Sequence, residues 1–163
     1  MIKAIPTYYN GTQFRSLLEA RYAKLLNSLG VRWSYEVQGY EYNRVRYLPD
    51  FYLPEMNVLL EIKGPRIPGI EKPTNLRKLI ESGVVPTVDW WNPEVLIIVG
   101  DADGRVTVAG SEEMAPLAKC KKCGKYFFLY EYRSYECRLC HAWDGDHYIA
   151  EWHTTLSLPQ GIL

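Results

Sequence analysis

Apolar residues first recur at helical spacing in the stretch that starts at position 14. Phe14, Leu17, Leu18, Tyr22, Leu25, Leu26 and Leu29 fall three and four apart. This spacing predicts an amphipathic helix over residues 14–29, with Gly30 where a C-terminal cap belongs. The period then drops to two. Val31, Trp33, Tyr35 and Val37 alternate with polar residues and predict a strand with one buried face. After Gly39 a second extended stretch runs to Leu53, with Pro49 forcing Leu48 to be extended. The composition of residues 54–57 reads as a turn, and residues 58–63 as a third strand ended by Gly64-Pro65. A loop over residues 68–73 precedes a short helix over 75–82, with Thr74 as its N-cap and Gly83 beyond its end. The apolar run 95–99 reads as a buried strand, and Asp103-Gly104 as a hairpin turn into the alternating Val106 and Val108. Pro116 and the charged stretch after it mark a boundary near residue 115. The expected organisation is a core over residues 1–115 and a tail over 116–163. Trp90, Trp91 and Pro93 form an aromatic knot read as packing, and His147 and His153 have no interpretable partner spacing.

Composition narrows the class without changing this layout. The chain has 163 residues, enough for one domain with a small appendage, and 19 Lys+Arg balance 19 Asp+Glu. Zero net charge excludes a uniformly basic DNA-coating protein but allows a local basic patch. At 47% hydrophobic and 23% charged residues, disorder and fibrous repeats are excluded. The longest aliphatic run, Val95 to Val99, is five residues long, where a membrane helix needs about 20. Residues 1–10 contain no apolar core of a secretory signal, so a cytoplasmic location is expected, with no membrane partner.

The tail carries the clearest metal signal. Cys120-x-x-Cys123 and Cys137-x-x-Cys140 are separated by 13 residues, close to the spacing of tetrathiolate zinc sites. Four sulfurs make a closed tetrahedron, so the expected Zn²⁺ is structural. Disulfides, an iron–sulfur centre, and His141 in place of Cys140 are the alternatives. Across residues 119–140, six Lys and Arg face two Glu, and Tyr126, Phe127, Phe128, Tyr130, Tyr132 and Tyr135 interleave with them. Basic groups there can neutralise phosphates while aromatics stack on bases. Equally, the aromatics can dock a small metal knuckle onto the main domain.

A second constellation lies in the core. Glu61 and Lys63 are two apart on a predicted strand and therefore leave the same face. A hairpin turning at residues 54–57 brings Asp50 alongside Glu61, and Glu19 sits at the edge of the apolar stripe of the first helix. Carboxylates gathered this way must take a proton or bind a cation, and hard oxygen ligands suit Mg²⁺ or Mn²⁺. Each piece also has a plain reading: a solvated Glu-Lys pair, turn chemistry at Pro49-Asp50, and a wet helix face at Glu19.

Together, Phe14-Arg15-Ser16-Leu17-Leu18-Glu19, Tyr47-Leu48-Pro49-Asp50-Phe51 and Leu60-Glu61-Ile62-Lys63-Gly64 resemble the PD-(D/E)xK nuclease superfamily. The likeness is greatest to phage-type members, including Holliday-junction resolvases of the endonuclease I type, and covers roughly residues 12–66. It implies an α/β fold, a restriction-endonuclease-like mixed sheet flanked by helices, here followed by a zinc ribbon. It implies a Mg²⁺- or Mn²⁺-dependent endonuclease that hydrolyses DNA phosphodiester bonds. Glu19, Asp50 and Glu61 would hold the metal with the Ile62 carbonyl, and Lys63 would serve the attacking water. Arg15, Lys121, Lys122 and Lys125 are the candidate DNA contacts, with Arg21, Arg77 and Lys78 as weaker ones. The neutral charge balance and the four-cysteine tail depart from the resolvase pattern. The alternative is a non-catalytic nucleic-acid-binding or assembly subunit acting through the ribbon, as a homodimer or within a larger nucleoprotein assembly.

Overall fold

A computed structural model describes residues 5–36, 39–63, 82, 96–102, 104–108, 114–129, 136–142 and 150–152. The chain opens with a hairpin, β1 (Thr7–Tyr9) against β2 (Thr12–Phe14). Asn10 and Gly11 turn it, both at positive φ (49° and 81°), as a two-residue turn with right-handed strand twist requires. Phe14 therefore belongs to a strand, not to the helix that its spacing predicts. The helix α1 (Leu17–Ser28) starts three residues later because Ser16 caps it, its hydroxyl accepting from the Glu19 N–H at 3.1 Å.

The far end of α1 is closed as the sequence predicts. Gly30 (φ 70°) donates to the Asn27 carbonyl at 3.1 Å, and Val31 reaches back to Leu26 at 2.9 Å. This paired closure satisfies carbonyls that a helix end leaves orphaned. Ala20, Tyr22, Ala23, Leu25 and Leu26 form the buried stripe.

A five-stranded mixed sheet lies under the helix, in the order β3 (Ser34–Tyr35), β6 (Phe51–Leu53), β7 (Val58–Lys63), β8 (Leu96–Asp101), β9 (Val106–Val108). Only β7 and β8 run parallel; the other neighbours are antiparallel. A parallel pair needs a crossover connection, and residues 64–95 lie between these two strands in the chain. The helix expected at 75–82 and the knot at Trp90-Trp91 fall there, outside the described residues except for Ser82, which is helical. In β7 Val58 through Ile62 are all buried and only Lys63 is exposed, the signature of a central strand covered on both faces.

Between β3 and β6 the single extended stretch expected from the sequence is broken. Asn43 (φ 51°) and Arg44 (φ 67°) turn a separate hairpin, β4 (Tyr40–Tyr42) against β5 (Val45–Tyr47). The strand expected over residues 31–37 shortens to two residues for a related reason, since Glu36 takes a left-handed backbone (φ 49°).

The tail forms a three-stranded antiparallel sheet with β10 (Leu117–Cys120) between β11 (Tyr126–Phe128) and β12 (Ala150–Trp152). One apolar core runs through both sheets. Phe14, Phe51, Leu53 and Val58 belong to it together with Leu117, Ala118, Phe127 and Phe128. Phe127 and Phe128 are fully buried, so these two dock the tail sheet and are closed to nucleic acid. Tyr130, Tyr132 and Tyr135 lie outside the described residues. Among the described residues no helix is long and apolar enough to cross a membrane.

Candidate functional site

The sheet register brings the acids of the core to one end of the molecule. Phe51 pairs with Leu60, so the next step of the ladder sets Asp50 opposite Glu61. The Ile62 N–H completes that step by donating to Asp50 Oδ2 at 2.8 Å. Glu36, just past β3, lies at the same end and donates its N–H to the Asp50 carbonyl at 3.0 Å. The first turn of α1 brings in Glu19, whose charge the helix N-terminus favours.

Glu19, Glu36 and Asp50 converge, with a carboxylate oxygen of each within 4.8 Å of the other two. Glu19 and Asp50 are buried and Glu36 half-buried. Glu61 is also buried, on β7, but is not one of that converging trio, and Lys63 beyond it is exposed. At an effective dielectric of about 20, two carboxylates at such a distance repel by about 3.5 kcal/mol.

Several groups hold the trio. Ser16 donates its hydroxyl to Glu19 Oε2 at 2.7 Å, and the Tyr35 hydroxyl donates to Glu19 Oε1 at 3.0 Å. That tyrosine also accepts the Arg15 N–H at 3.1 Å. Burial, with the Glu19 charge beside it, keeps the Tyr35 hydroxyl protonated well above the ordinary tyrosine range, although the Arg15 N–H opposes this. The Arg15 guanidinium pairs with Glu36 and lies 3.5 Å from Asp50 Oδ1. Burial works against the Arg15 charge, but Tyr35, Glu36 and Asp50 outweigh it and raise the pKa further. Three carboxylates and one guanidinium leave a formal charge of −2, which one divalent cation matches.

The cysteine cluster is built differently. Cys120 Sγ lies 3.8 Å from Cys140 Sγ, and Cys123 Sγ lies 3.9 Å from Cys137 Sγ. All four sulfurs fall within 4.8 Å of one another, and all four cysteines are free thiols. A disulfide would need about 2.05 Å, whereas a zinc tetrahedron with bonds of about 2.3 Å has sulfur–sulfur edges of about 3.8 Å. The donor set therefore fits a closed, structural Zn²⁺ site.

The two halves of this site share one backbone form. Gly124 donates to the Cys120 carbonyl and His141 to the Cys137 carbonyl, each at 2.9 Å. Both residues are left-handed, at φ 72° and 60°. His141 thus takes the position that Gly124 fills in the first knuckle. Its Nδ1 lies 3.5 Å from Glu136 and its side chain is exposed, so it is not a fifth donor. Burial acts against ionisation of Cys120, but the Cys123 and Lys122 N–H groups outweigh it and lower its pKa. Burial instead pushes Cys137 well up.

Of the expected nucleic-acid contacts, Lys121 and Lys122 are exposed. Lys125 pairs with Glu55 at 3.0 Å and Arg15 with the acid trio. Sequence reasoning missed Ser16, Tyr35 and Glu36. The first had a readable signal, since Ser16-Leu17-Leu18-Glu19 is a capping box; the other two had none that a strand reading could use.

Comparison with protein-family models, with curated proteins and with solved structures finds no match to the chain.

Proposed function

We propose that this protein is a divalent-metal-dependent nuclease that hydrolyses phosphodiester bonds in DNA. The observation that carries the reading is the meeting of Glu19 from the helix with Asp50 from the sheet, buried and within 4.8 Å of each other. They meet at the end of the sheet where Glu61 and Lys63 also lie. The mixed sheet under a capped helix, and the three sequence motifs in order, support it further.

Glu19, Asp50 and Glu61 would hold the cation with the Ile62 carbonyl, and Glu36 adds a carboxylate that the motifs do not contain. When bound, such a cation polarises a phosphoryl oxygen and acidifies a water molecule. The chain's own groups set the stage. Ser16 and Tyr35 fix the rotamer of Glu19, and the Ile62 N–H fixes that of Asp50. Exposed Lys63 offers an ammonium group to a phosphate or to the attacking water, while Lys121 and Lys122 offer sequence-independent phosphate contacts.

The test is incubation with plasmid, linear, single-stranded and branched DNA, and with RNA, in Mg²⁺ or Mn²⁺. Cleavage of at least one DNA is expected, with a loss of about 100-fold or more on Asp50→Ala, the size expected for a group that stabilises developing charge. No cleavage of any substrate, or cleavage indifferent to Asp50→Ala, overturns the reading.

One observation favours a second reading. Arg15 already stands against Glu36 and Asp50, where it can neutralise them without a metal. The acids are then structural, and the chain is a binding or assembly subunit that works through its ribbon. Salt-dependent DNA binding that survives Asp50→Ala, with no cleavage, selects this reading.

A further inference from the structure

The second knuckle, residues 136–142, has Cys137 buried in the apolar core, with Leu139 and Ala142 packed against that core. Among the described residues it belongs to no strand. Its backbone bonds are internal: Cys137 donates to the Ala142 carbonyl, and His141 to that of Cys137. A thiol is a weak donor and a weak acceptor, so the sulfur contacts of 3.8 and 3.9 Å add little to that packing until a metal joins them.

Both knuckles nevertheless reach one distant place. Arg138, between Cys137 and Cys140, donates from Nε to the Met56 carbonyl at 3.2 Å. Lys125, two residues past Cys123, donates to Glu55 Oε2 at 3.0 Å. Glu55 and Met56 form the turn between β6 and β7. Within that turn Met56 is buried in the core, and Asn57 is left-handed (φ 54°) and accepts from the Tyr52 hydroxyl at 3.0 Å. Its geometry sets the β6–β7 register, whose last step is the Ile62 N–H donated to Asp50.

We infer that the four cysteines bind one Zn²⁺ per chain, and that the ion, by fixing the knuckle that bears Arg138, clamps the β6–β7 hairpin carrying Asp50 and Glu61. The hairpin is then ordered by a metal bound in the tail. Four thiolates around a divalent ion also exclude water from the coordination shell, so the ion takes no part in hydrolysis. The clamp does not depend on whether the carboxylates cleave anything.

The experiment uses the full chain as purified, with elemental analysis for zinc and amide hydrogen exchange followed over residues 51–62 and over α1. One zinc per chain is expected. Its removal by a chelator should speed exchange in residues 51–62, at the Ile62 amide above all, roughly tenfold more than in α1, the order of one lost hydrogen bond to a charged group. Added Zn²⁺ should restore protection. Arg138→Ala keeps all four cysteines and should keep its zinc, yet show faster exchange in the hairpin. Absence of stoichiometric zinc, or hairpin exchange that ignores zinc removal, overturns the inference. Should the zinc-free chain unfold throughout, Arg138→Ala decides: unchanged hairpin exchange in the zinc-loaded variant overturns it, and faster exchange upholds it.

Discussion

Ser16 shows how much one hydroxyl can organise. It accepts the Glu19 N–H, which caps α1, and donates to the carboxylate of the same residue at 2.7 Å. Ser16→Ala removes both bonds. The helix loses its cap, worth about 1 kcal/mol, and Glu19 keeps only Tyr35 of the two hydroxyls that hold it. A chemical denaturation midpoint should fall accordingly with the slope unchanged, whereas an unchanged midpoint would show that the cap is dispensable. Glu19 itself was legible in the sequence, because its place at the edge of an apolar stripe follows from helical spacing alone. Glu36 was not. In an alternating strand it reads as one more solvated position, and only the left-handed turn of its backbone (φ 49°) carries it toward Asp50. That turn depends on Arg15 and Asp50 being nearby, and no local pattern encodes them. Tyr35 was hidden for a similar reason. Alternation marks it as a core aromatic, and its ring does pack on Phe14 at 4.6 Å, but its hydroxyl links helix to strand.

At the level of elements, long periodic segments were readable and short ones were not. The strand expected over residues 58–63 is β7, and most of the apolar run 95–99 lies in β8, because apolar runs bounded by turn residues are readable without knowledge of partners. The hairpins of three-residue strands rest on turn chemistry instead. Asn10-Gly11 is a strong hairpin signal, but the apolar spacing of Phe14 competes with it by favouring a longer helix. Asn43-Arg44 gives a weaker one, since an arginine at φ 67° is rare without outside support. The helix and sheet meet closely at Gly100, where an added Cβ would lie 2.7 Å from the Tyr22 hydroxyl oxygen and 2.9 Å from its ring. Tyr22 is fully buried and donates to the Asp101 carbonyl at 2.6 Å, so its ring has no free space to move into. Gly100→Ala should therefore lower stability by about 1–3 kcal/mol, as overpacking does. Tyr22→Phe on that background should recover part of the loss, since it removes the atom nearest to the new methyl. A thermal melt of the single and double variants checks this, and an additive double variant would show that the clash is absent.

On the scale of the whole molecule, a boundary near residue 115 follows from composition, yet the apolar core crosses it. Ala115 is buried and donates to the Val106 carbonyl at 3.0 Å, and Thr107 bridges to Met114. Phe127 and Phe128 are fully buried in the core that holds Phe14 and Phe51. Burial of apolar surface then ties the tail to the five-stranded sheet far more strongly than the exposed Lys125–Glu55 pair, because solvent screens such pairs. Phe127→Ala should cost about 3–5 kcal/mol. If the core is continuous, that cost appears in the unfolding of α1, although α1 lies about a hundred positions earlier in the chain. The helical circular dichroism of Phe127→Ala should then melt well below that of the parent chain, in one transition, while Lys125→Ala melts beside the parent. Two separate transitions, with the helical one unmoved by Phe127→Ala, would mean that the tail and the five-stranded sheet fold as independent units.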